Sequence, residues 1–216
     1  MDSGTRWNAT RQRLYDAAVS LMAEQGFSAT TVEEIAERAG VAKGTVYYNF
    51  SSKTGLLEAL LRHGVGLLSA SLEQAAADAA GRGGGRPEVL DAMIRAGLVF
   101  ADRCPAFAQL YVAELWRTSR PWHATLTAVR RQVVAVVEEA LRGGAGPGGP
   151  EWPGGPGSGW PDEDADVSLT ASAVVGTLLT TALDWKAFQP ERPLEEVHGA
   201  LSRLLRGRIG GSGRSG

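Results

Sequence analysis

Cysteine is nearly absent from this chain: Cys104 is the only one among 216 residues. One thiol cannot form a disulfide within the chain, and we expect no cysteine-based metal site. Long apolar runs are also missing, since no stretch approaches the ~20 uninterrupted apolar residues that cross a bilayer. The first residues, MDSGTR, lack the apolar region of a signal peptide. We therefore expect a cytoplasmic protein with no membrane partner.

An excess of basic residues is missing as well. Lys and Arg total 22 against 24 Asp and Glu, so the formal net charge is −2. Any contact with nucleic acid must therefore come from the local placement of charge. The histidines His63, His123 and His198 are scattered, and neither a glycine-rich nucleotide loop nor an HExxH motif occurs. We expect no catalytic residues, no metal site, no cofactor and no enzymatic activity.

Helical periodicity is the pattern that dominates the sequence, and no segment alternates apolar and polar residues over a useful length. We predict an all-α protein. Residues 8–25 place Leu14, Ala17, Ala18 and Leu21 on one face, and Gly26 follows as a stop. Predicted helices follow at about 31–39, 42–48, 52–80, 88–103, 106–116, 121–142, 167–187 and 193–206.

The second and third of these helices form a pair. Thr31 and Glu34 have the spacing of a capping box, in which each side chain bonds the backbone of the other. A turn of about three residues then leads to a short helix that buries Val46 and directs Lys43 and Tyr48 outward. This spacing predicts a helix-turn-helix.

The rest of the chain is divided by glycine and proline. We predict a helix-turn-helix domain at 1–52, a linking helix at 52–80, and a ligand-binding and dimerisation domain at 81–208. Within the last, residues 143–166 are rich in Gly, Pro and acidic residues, which predicts a flexible loop, although Trp152 and Trp160 are unusual in a linker. We expect a disordered tail at 209–216.

Residues 8–62 resemble the N-terminal domain of the tetracycline-repressor (TetR) family of bacterial regulators. The resemblance rests on GF at 26–27, TVEEIA at 31–36, GVAKGTVYYNF at 40–50 and SK at 52–53. Ala42 stands where the family often has serine, and Asn49 where an aromatic residue or histidine is common. The resemblance implies an N-terminal three-helix DNA-binding domain joined by a long helix to a C-terminal effector-binding domain.

The chemistry of the third helix agrees with DNA binding. Gly44 permits close approach, and Lys43 and Thr45 can donate to base edges in the major groove. Backbone N–H groups at the start of the second helix suit a phosphate. In the opposing interpretation, Tyr47 and Tyr48 are core residues and Lys43 is an ordinary surface charge. The expected DNA contacts are Thr31, Lys43, Gly44, Thr45, Tyr47, Tyr48, Asn49 and Lys53.

The C-terminal helices carry no comparable motif. Aromatic side chains there suit a mostly apolar or aromatic small molecule, although any single one of them fits the core between helices better. The pocket residues we expect are Phe100, Phe107, Tyr111, Trp116 and His123. The last two helices, at about 167–187 and 193–206, are expected to form a homodimer. Their expected interface stripes are Ala171, Val174, Val175, Leu178 and Ala182, and Leu194, Val197, Leu201, Leu204 and Leu205.

These features predict a ligand-responsive regulator, most simply a repressor, that binds a palindromic operator as a dimer and is released by a small effector. By the resemblance it is bacterial, and it would be nucleoid-associated when bound to DNA. One alternative is a constitutive or protein-regulated DNA-binding factor without a small-molecule inducer. A helical ligand carrier is the other, but it would have no use for the pattern at 42–53.

Overall fold

The computed structural model describes residues 9–142 and 166–209, with side chains placed as far as Leu205. These residues form nine helices and no strand, which confirms the all-α prediction. The helices are α1 Ala9–Gln25, α2 Val32–Arg38, α3 Lys43–Phe50, α4 Lys53–Gly81, α5 Arg86–Arg103, α6 Pro105–Leu115, α7 His123–Arg142, α8 Val167–Phe188 and α9 Leu194–Ile209. Trp152, Trp160, most of the predicted loop and nearly all of the predicted tail lie outside the described residues.

The helices group into two compact units that are interleaved along the chain. Among the described residues, the first, the reading unit, comprises 9–64 and 104–129, and the second, the rear unit, comprises 65–103, 130–142 and 166–209. The sequence analysis divides the chain at a single point, residue 81. In the structure, the segment 104–129 groups with the N-terminal residues because α6 packs along α1. Helices α4 and α7 each begin in the reading unit and end in the rear unit.

The core of the reading unit is aliphatic. Leu14 and Ala18 of α1, Ile35 of α2 and Leu60 of α4 are all fully buried. Burial of such side chains contributes roughly 1.5–3 kcal/mol each to folding. The apolar stripe predicted for α1 is therefore the face that packs inward, and it places α2 and α3 on a rigid base.

The rear unit is organised around α5, which packs on both α8 and α9. It comes close to α8 at Gly97, where an added Cβ would lie 2.4 Å from Cδ2 of Leu178. At the α5–α9 seam, Ser202 donates to the Asp91 carboxylate, and Nε2 of His198 lies 3.4 Å from the same carboxylate. Asp166 begins α8 by accepting from the backbone N–H groups of Ser168 and Leu169.

The structure corrects part of the expected dimer interface on α8 and α9. Ala171, Val174 and Ala182, which we expected at a dimer interface, are buried within the chain, as are Val197, Leu201 and Leu205 of α9. The opposite face of α8 is the open one, and Leu169 and Phe188 are exposed there. Periodicity could not assign the faces because α8 is apolar nearly all round.

By length and composition alone, α8 could cross a membrane, since it has 22 residues and contains an 18-residue stretch with a mean hydropathy of 1.4. No other helix in the described residues meets this test. The sequence analysis considered only uninterrupted apolar runs, and it did not single out α8 because serine and threonine interrupt the apolar residues of this helix. A single helix of this kind is weak evidence for a span.

Candidate nucleic-acid interface

The start of α2 is fixed by the predicted capping box. The Thr31 hydroxyl accepts from the Glu34 backbone N–H at 3.2 Å, and the Glu34 carboxylate accepts from the Thr31 backbone N–H at 2.7 Å. The bond from the Thr31 N–H, together with one that the Thr31 hydroxyl donates to the same carboxylate at 2.8 Å, lowers the pKa of the Glu34 carboxyl. The Thr31 N–H, which we expected to receive a phosphate, is thus already bonded to a carboxylate. A phosphate at this position would have to displace Glu34 or bind beside it.

The turn between α2 and α3 depends on Gly40. Its φ is +64°, in the left-handed region that glycine adopts at little cost. The next residue, Val41, donates its backbone N–H to the Ala36 carbonyl at 2.9 Å, which closes the end of α2. Residues 39–42 therefore join the helices tightly, as the helix-turn-helix prediction requires.

Helix α3 has one buried face and one open face. Val46 is 1% exposed and Phe50 8%, so these two side chains anchor the helix. On the other side Tyr48 is 90% exposed and Tyr47 44% exposed. A Cβ added at Gly44 would meet no atom within 4 Å. The interpretation of both tyrosines as core residues is therefore wrong, and the outward face is narrow at Gly44.

Lys43 is on the open face but is not free of partners. Its ammonium forms a hydrogen-bonded ion pair with Glu33 of α2, and it lies 5.9 Å from the centre of the Tyr47 ring. This bond lowers the pKa of the Glu33 carboxyl and raises the pKa of Lys43. Both side chains are about half exposed, so water screens the pair strongly. A DNA acceptor must compete with Glu33 for Lys43.

Asn49 is bonded within the protein through both ends of its amide. Its Nδ2 donates to the Thr45 carbonyl at 2.8 Å, and its Oδ1 accepts from Nε of Arg11 at 3.2 Å. The Arg11 guanidinium also lies 5.8 Å from the centre of the Phe50 ring. Asn49 thus positions Arg11 beside α3, which is a role that the sequence analysis did not assign to it.

Lys53 lies in a pocket of backbone carbonyls. Its ammonium donates to the Phe27 carbonyl at 2.8 Å and to the Thr30 carbonyl at 2.7 Å, and it lies 4.3 Å from the centre of the Phe27 ring. Lys53 therefore ties the first residue of α4 to the turn between α1 and α2. Sequence spacing placed this lysine beside α3, but it gave no indication of the carbonyls.

A buried tryptophan on the far side of the same turn was missed as a site residue. Trp122 is 1% exposed, and its ring lies 4.2 Å from that of Phe27. Its Nε1 donates to the buried Glu114 carboxylate at 3.2 Å, and Arg117 lies 3.4 Å from the other oxygen of that carboxylate. Trp122 thus couples the segment between α6 and α7 to the α1–α2 turn. The neighbouring Pro121 and this aromatic residue were the available signs.

Four of the five expected pocket residues lie in the reading unit. Phe107 is 3% exposed and packs on Gly64, where an added Cβ would lie 2.2 Å from the ring. Tyr111 stacks beside Phe107 with ring centres 6.4 Å apart, while Trp116 is 82% exposed. His123 is half-buried, with an Nδ1 that has no hydrogen-bond partner. The fifth, Phe100, belongs to the rear unit.

The rear unit contains a groove of about 620 Å³ that the sequence analysis did not identify. We call it the α4–α7 groove. It is lined by Glu73, Ala76, Ala77 and Ala80 of α4, Val89 of α5, and Gln132, Ala135, Val136, Glu139 and Ala140 of α7. Its volume lies within the usual range for small-molecule sites, roughly 300–1,000 Å³.

Comparison of the sequence with known proteins identifies the N-terminal region. The family model described as "Bacterial regulatory proteins, tetR family" matches residues 14–60. The HTH-type transcriptional regulator YvkB of Bacillus subtilis is 44% identical over 69 residues, which are 32% of this chain and 36% of YvkB. SrpR of Pseudomonas putida, another HTH-type transcriptional regulator, is 46% identical over 52 residues, 24% of each protein. The match thus spans about a third or less of these relatives.

Comparison of the structure extends over the whole chain. The fatty acid degradation regulator FadR from Bacillus halodurans has a TM-score of 0.78 at 21% identity, with all of both chains covered. FadR from Bacillus subtilis, solved in complex with stearoyl-CoA, has a TM-score of 0.75 at 22% identity and covers 94% of this chain and 99% of its own. At these identities the likeness shows the fold alone.

Proposed function

We propose that this chain, whose residues 14–60 match the model of the TetR family of bacterial regulatory proteins, is a transcriptional repressor that binds operator DNA as a homodimer and releases it when a small molecule binds. The observation that carries this proposal is the open face of α3. Lys43, Gly44, Tyr47 and Tyr48 are all exposed on a helix whose other face is buried.

The shape of α3 suits the major groove of duplex DNA. Gly44 lets the helix approach the base edges, and Lys43 and Thr45 are placed to donate to acceptors such as guanine O6 and N7. Tyr47 and Tyr48 can reach phosphates at the edges of the groove, because both side chains are exposed. The face therefore combines a narrow centre for base contacts with polar edges for the backbone.

Charge near α3 is balanced, which limits nonspecific binding. Glu33 pairs with Lys43, and Glu34 occupies the cap of α2. Because few phosphates are neutralised, we expect only a moderate dependence of affinity on salt concentration.

Titration of the full chain with fluorescent DNA from beside its own gene tests the DNA-binding role. Lys43→Ala should cost about 1–3 kcal/mol of binding free energy and relax base preference. Glu33→Gln should strengthen binding, since it frees Lys43 and removes a negative charge. Arg82→Ala removes one positive charge from the exposed turn that follows α4 and serves as the matched control. Lys43→Ala behaving like Arg82→Ala would contradict the assignment.

Lys53 has a different expected role, that of a phosphate contact without base preference. Lys53→Ala should weaken binding to all sequences and lower the slope of log affinity against log salt by about one. Its carbonyl bonds predict that the same change also lowers the free energy of unfolding. A selective loss for one operator sequence would argue against this role.

Dimerisation is assigned to the open faces of α8 and α9. Leu169, Ala173, Gly176 and Thr180 form an exposed stripe along α8, and Leu204 is exposed on α9. Small residues let a partner helix come close, and two-fold symmetry would place two α3 helices on half-sites about 35 Å apart. Leu169→Glu should produce a monomer in sedimentation measurements, whereas Leu67→Glu, which alters another exposed leucine on α4, should not.

Release by a ligand requires coupling between effector and DNA binding. A ligand that prefers the released form by ~100-fold supplies about 2.7 kcal/mol of coupling. Helices α4 and α7 both run from the rear unit into the reading unit, so each is a continuous element through which a ligand in the α4–α7 groove can act. Operator affinity that no ligand alters would indicate a constitutive factor.

The protein acts in the cytoplasm, on the nucleoid when bound to DNA, and has no enzymatic role.

A further inference from the structure

The α4–α7 groove owes its room to small side chains. Five of its ten lining residues are alanines, on α4 and α7, and larger residues at those positions would fill the space. Ala77 and Ala135 are exposed, one on each wall. The walls are thus apolar and open, and they leave an uncovered apolar surface that a ligand can bury.

The charged groups of the groove are all acidic. Glu73 on α4 and Glu139 on α7 line it, and no basic side chain does among residues 9–142 and 166–205. Both carboxylates are exposed, and neither makes an ion pair within the part of the chain that the structure describes. The adjacent Glu138 differs, because it pairs with Arg142 at 3.0 Å. The groove therefore carries two uncompensated negative charges on an apolar surface.

We propose that the α4–α7 groove binds a lipophilic organic cation, whose apolar body lies on the alanine walls and whose charge lies between Glu73 and Glu139. The inference rests on the proposed function, since it names the class of effector. An anionic acyl thioester such as the stearoyl-CoA bound by the B. subtilis FadR would place negative charge beside these carboxylates, which Coulomb repulsion opposes. Burial against the walls would also strengthen the attraction for a cation, because desolvated charges are screened less.

The direct test uses two probes of nearly the same shape and opposite charge. Tetraphenylphosphonium and tetraphenylborate are titrated into the full-length protein by calorimetry. The phosphonium should bind at least tenfold more tightly than the borate. Equal affinities, or tighter binding of the borate, would overturn the proposal, because shape and hydrophobicity would then suffice.

Variants locate the binding site. Glu73→Gln combined with Glu139→Gln should reduce phosphonium affinity at least tenfold, whereas Glu138→Gln, which alters a paired carboxylate outside the lining, should leave it unchanged. Ala135→Leu should block the groove. Thermal unfolding of each variant verifies that it folds. Full phosphonium affinity in the double variant or in Ala135→Leu would overturn the assignment, as would stearoyl-CoA binding that Ala135→Leu abolishes.

Operator binding measured alongside separates this inference from the proposed function. A chain that binds its operator but not the phosphonium refutes the cation site and leaves DNA binding intact. A chain that binds the phosphonium in the groove without any change in operator affinity supports the site and refutes induction through it. Binding that lowers operator affinity supports both.

Discussion

The contacts inside the reading unit differ in kind from the contacts inside the rear unit. In the reading unit, directional hydrogen bonds surround the α1–α2 turn, where Lys53 bonds two carbonyls and Trp122 bonds a buried carboxylate. In the rear unit, α5 meets α8 through close aliphatic packing, as at Gly97 against Leu178, and only its seam with α9 adds directional bonds, from Ser202 and His198 to the Asp91 carboxylate. Directional bonds fix the position of a surface that must match DNA closely, whereas aliphatic packing tolerates adjustment. The predictions below test this difference.

Truncation of Trp122 should have the largest effect. Trp122→Ala removes a buried ring and leaves the Glu114 carboxylate with one partner fewer, so we expect a loss of about 3–5 kcal/mol in the free energy of unfolding. Trp116→Ala, at an 82% exposed residue, should change it by no more than about 0.5 kcal/mol. Urea unfolding measures both. Similar losses for the two tryptophans would contradict the buried network.

Close helix contacts should respond to an added methyl group in both units. Gly64→Ala meets the Phe107 ring and Gly97→Ala meets Leu178, so each should cost about 1–3 kcal/mol. The loss should be smaller at Gly97, because a flexible leucine can move more easily than a packed ring. Gly66→Ala has open space and should stabilise α4 by about 0.5–1 kcal/mol. A larger loss at Gly97 than at Gly64 would reverse the proposed contrast.

The α2 cap should have a moderate effect. Thr31→Ala removes the hydroxyl that accepts from the Glu34 N–H and should cost about 1 kcal/mol in chemical unfolding. Thr31→Ser keeps the hydroxyl and should retain most of that stability. Because the cap positions the helix-turn-helix, operator affinity should fall with Thr31→Ala and not with Thr31→Ser. Equal stability of both variants would show that the capping box is dispensable.

The smallest effects concern pH. Hydrogen bonds from Thr31 lower the pKa of Glu34 in the reading unit, and a hydrogen bond from Arg95 lowers that of Glu195 in the rear unit. A carboxyl whose pKa is lowered on folding stabilises the protein above its unfolded pKa, and this contribution is lost as pH falls through the folded value. Glu34→Gln and Glu195→Gln should therefore destabilise at pH 7 but not in strong acid.

Salt should distinguish these two carboxylates. The Glu195–Arg95 pair is exposed, so 1 M salt should remove most of its contribution. The Glu34 cap is a short-range bond to backbone and should persist. Unfolding curves for both variants at low and high salt provide the measurement. Equal sensitivity to salt would show that the two contacts are of the same kind.

Local patterns were sufficient for most of the fold. Every predicted helix is present with bounds shifted by a few residues, because helical periodicity and capping depend on neighbours within one or two turns. The two faces of α3 were assigned correctly for the same reason, since Val46 and the outward residues are all within one short helix. Their expected contacts with DNA remain predictions.

Contacts between distant parts of the chain could not be predicted. Periodicity identified apolar stripes on α8 and α9 but not whether α5 or a second chain covers them, and Ala171 and Leu201 are buried against their own chain. Phe107 was expected in a pocket and lies against Gly64. An aromatic residue in a helix has the same local pattern whether it fills a core or lines a cavity.

The sequence by itself determined nine helical segments, a capped helix-turn-helix and the outward residues of α3, since each depends on interactions across a few residues. Tertiary structure alone decided that Lys53 bonds the α1–α2 turn, that Trp122 is packed on Phe27, and that two unpaired carboxylates face an alanine-walled groove. The physical reason is the distance along the sequence between the residues that interact. Backbone hydrogen bonds and caps are local, whereas these arrangements require helices far apart in sequence to be packed together first.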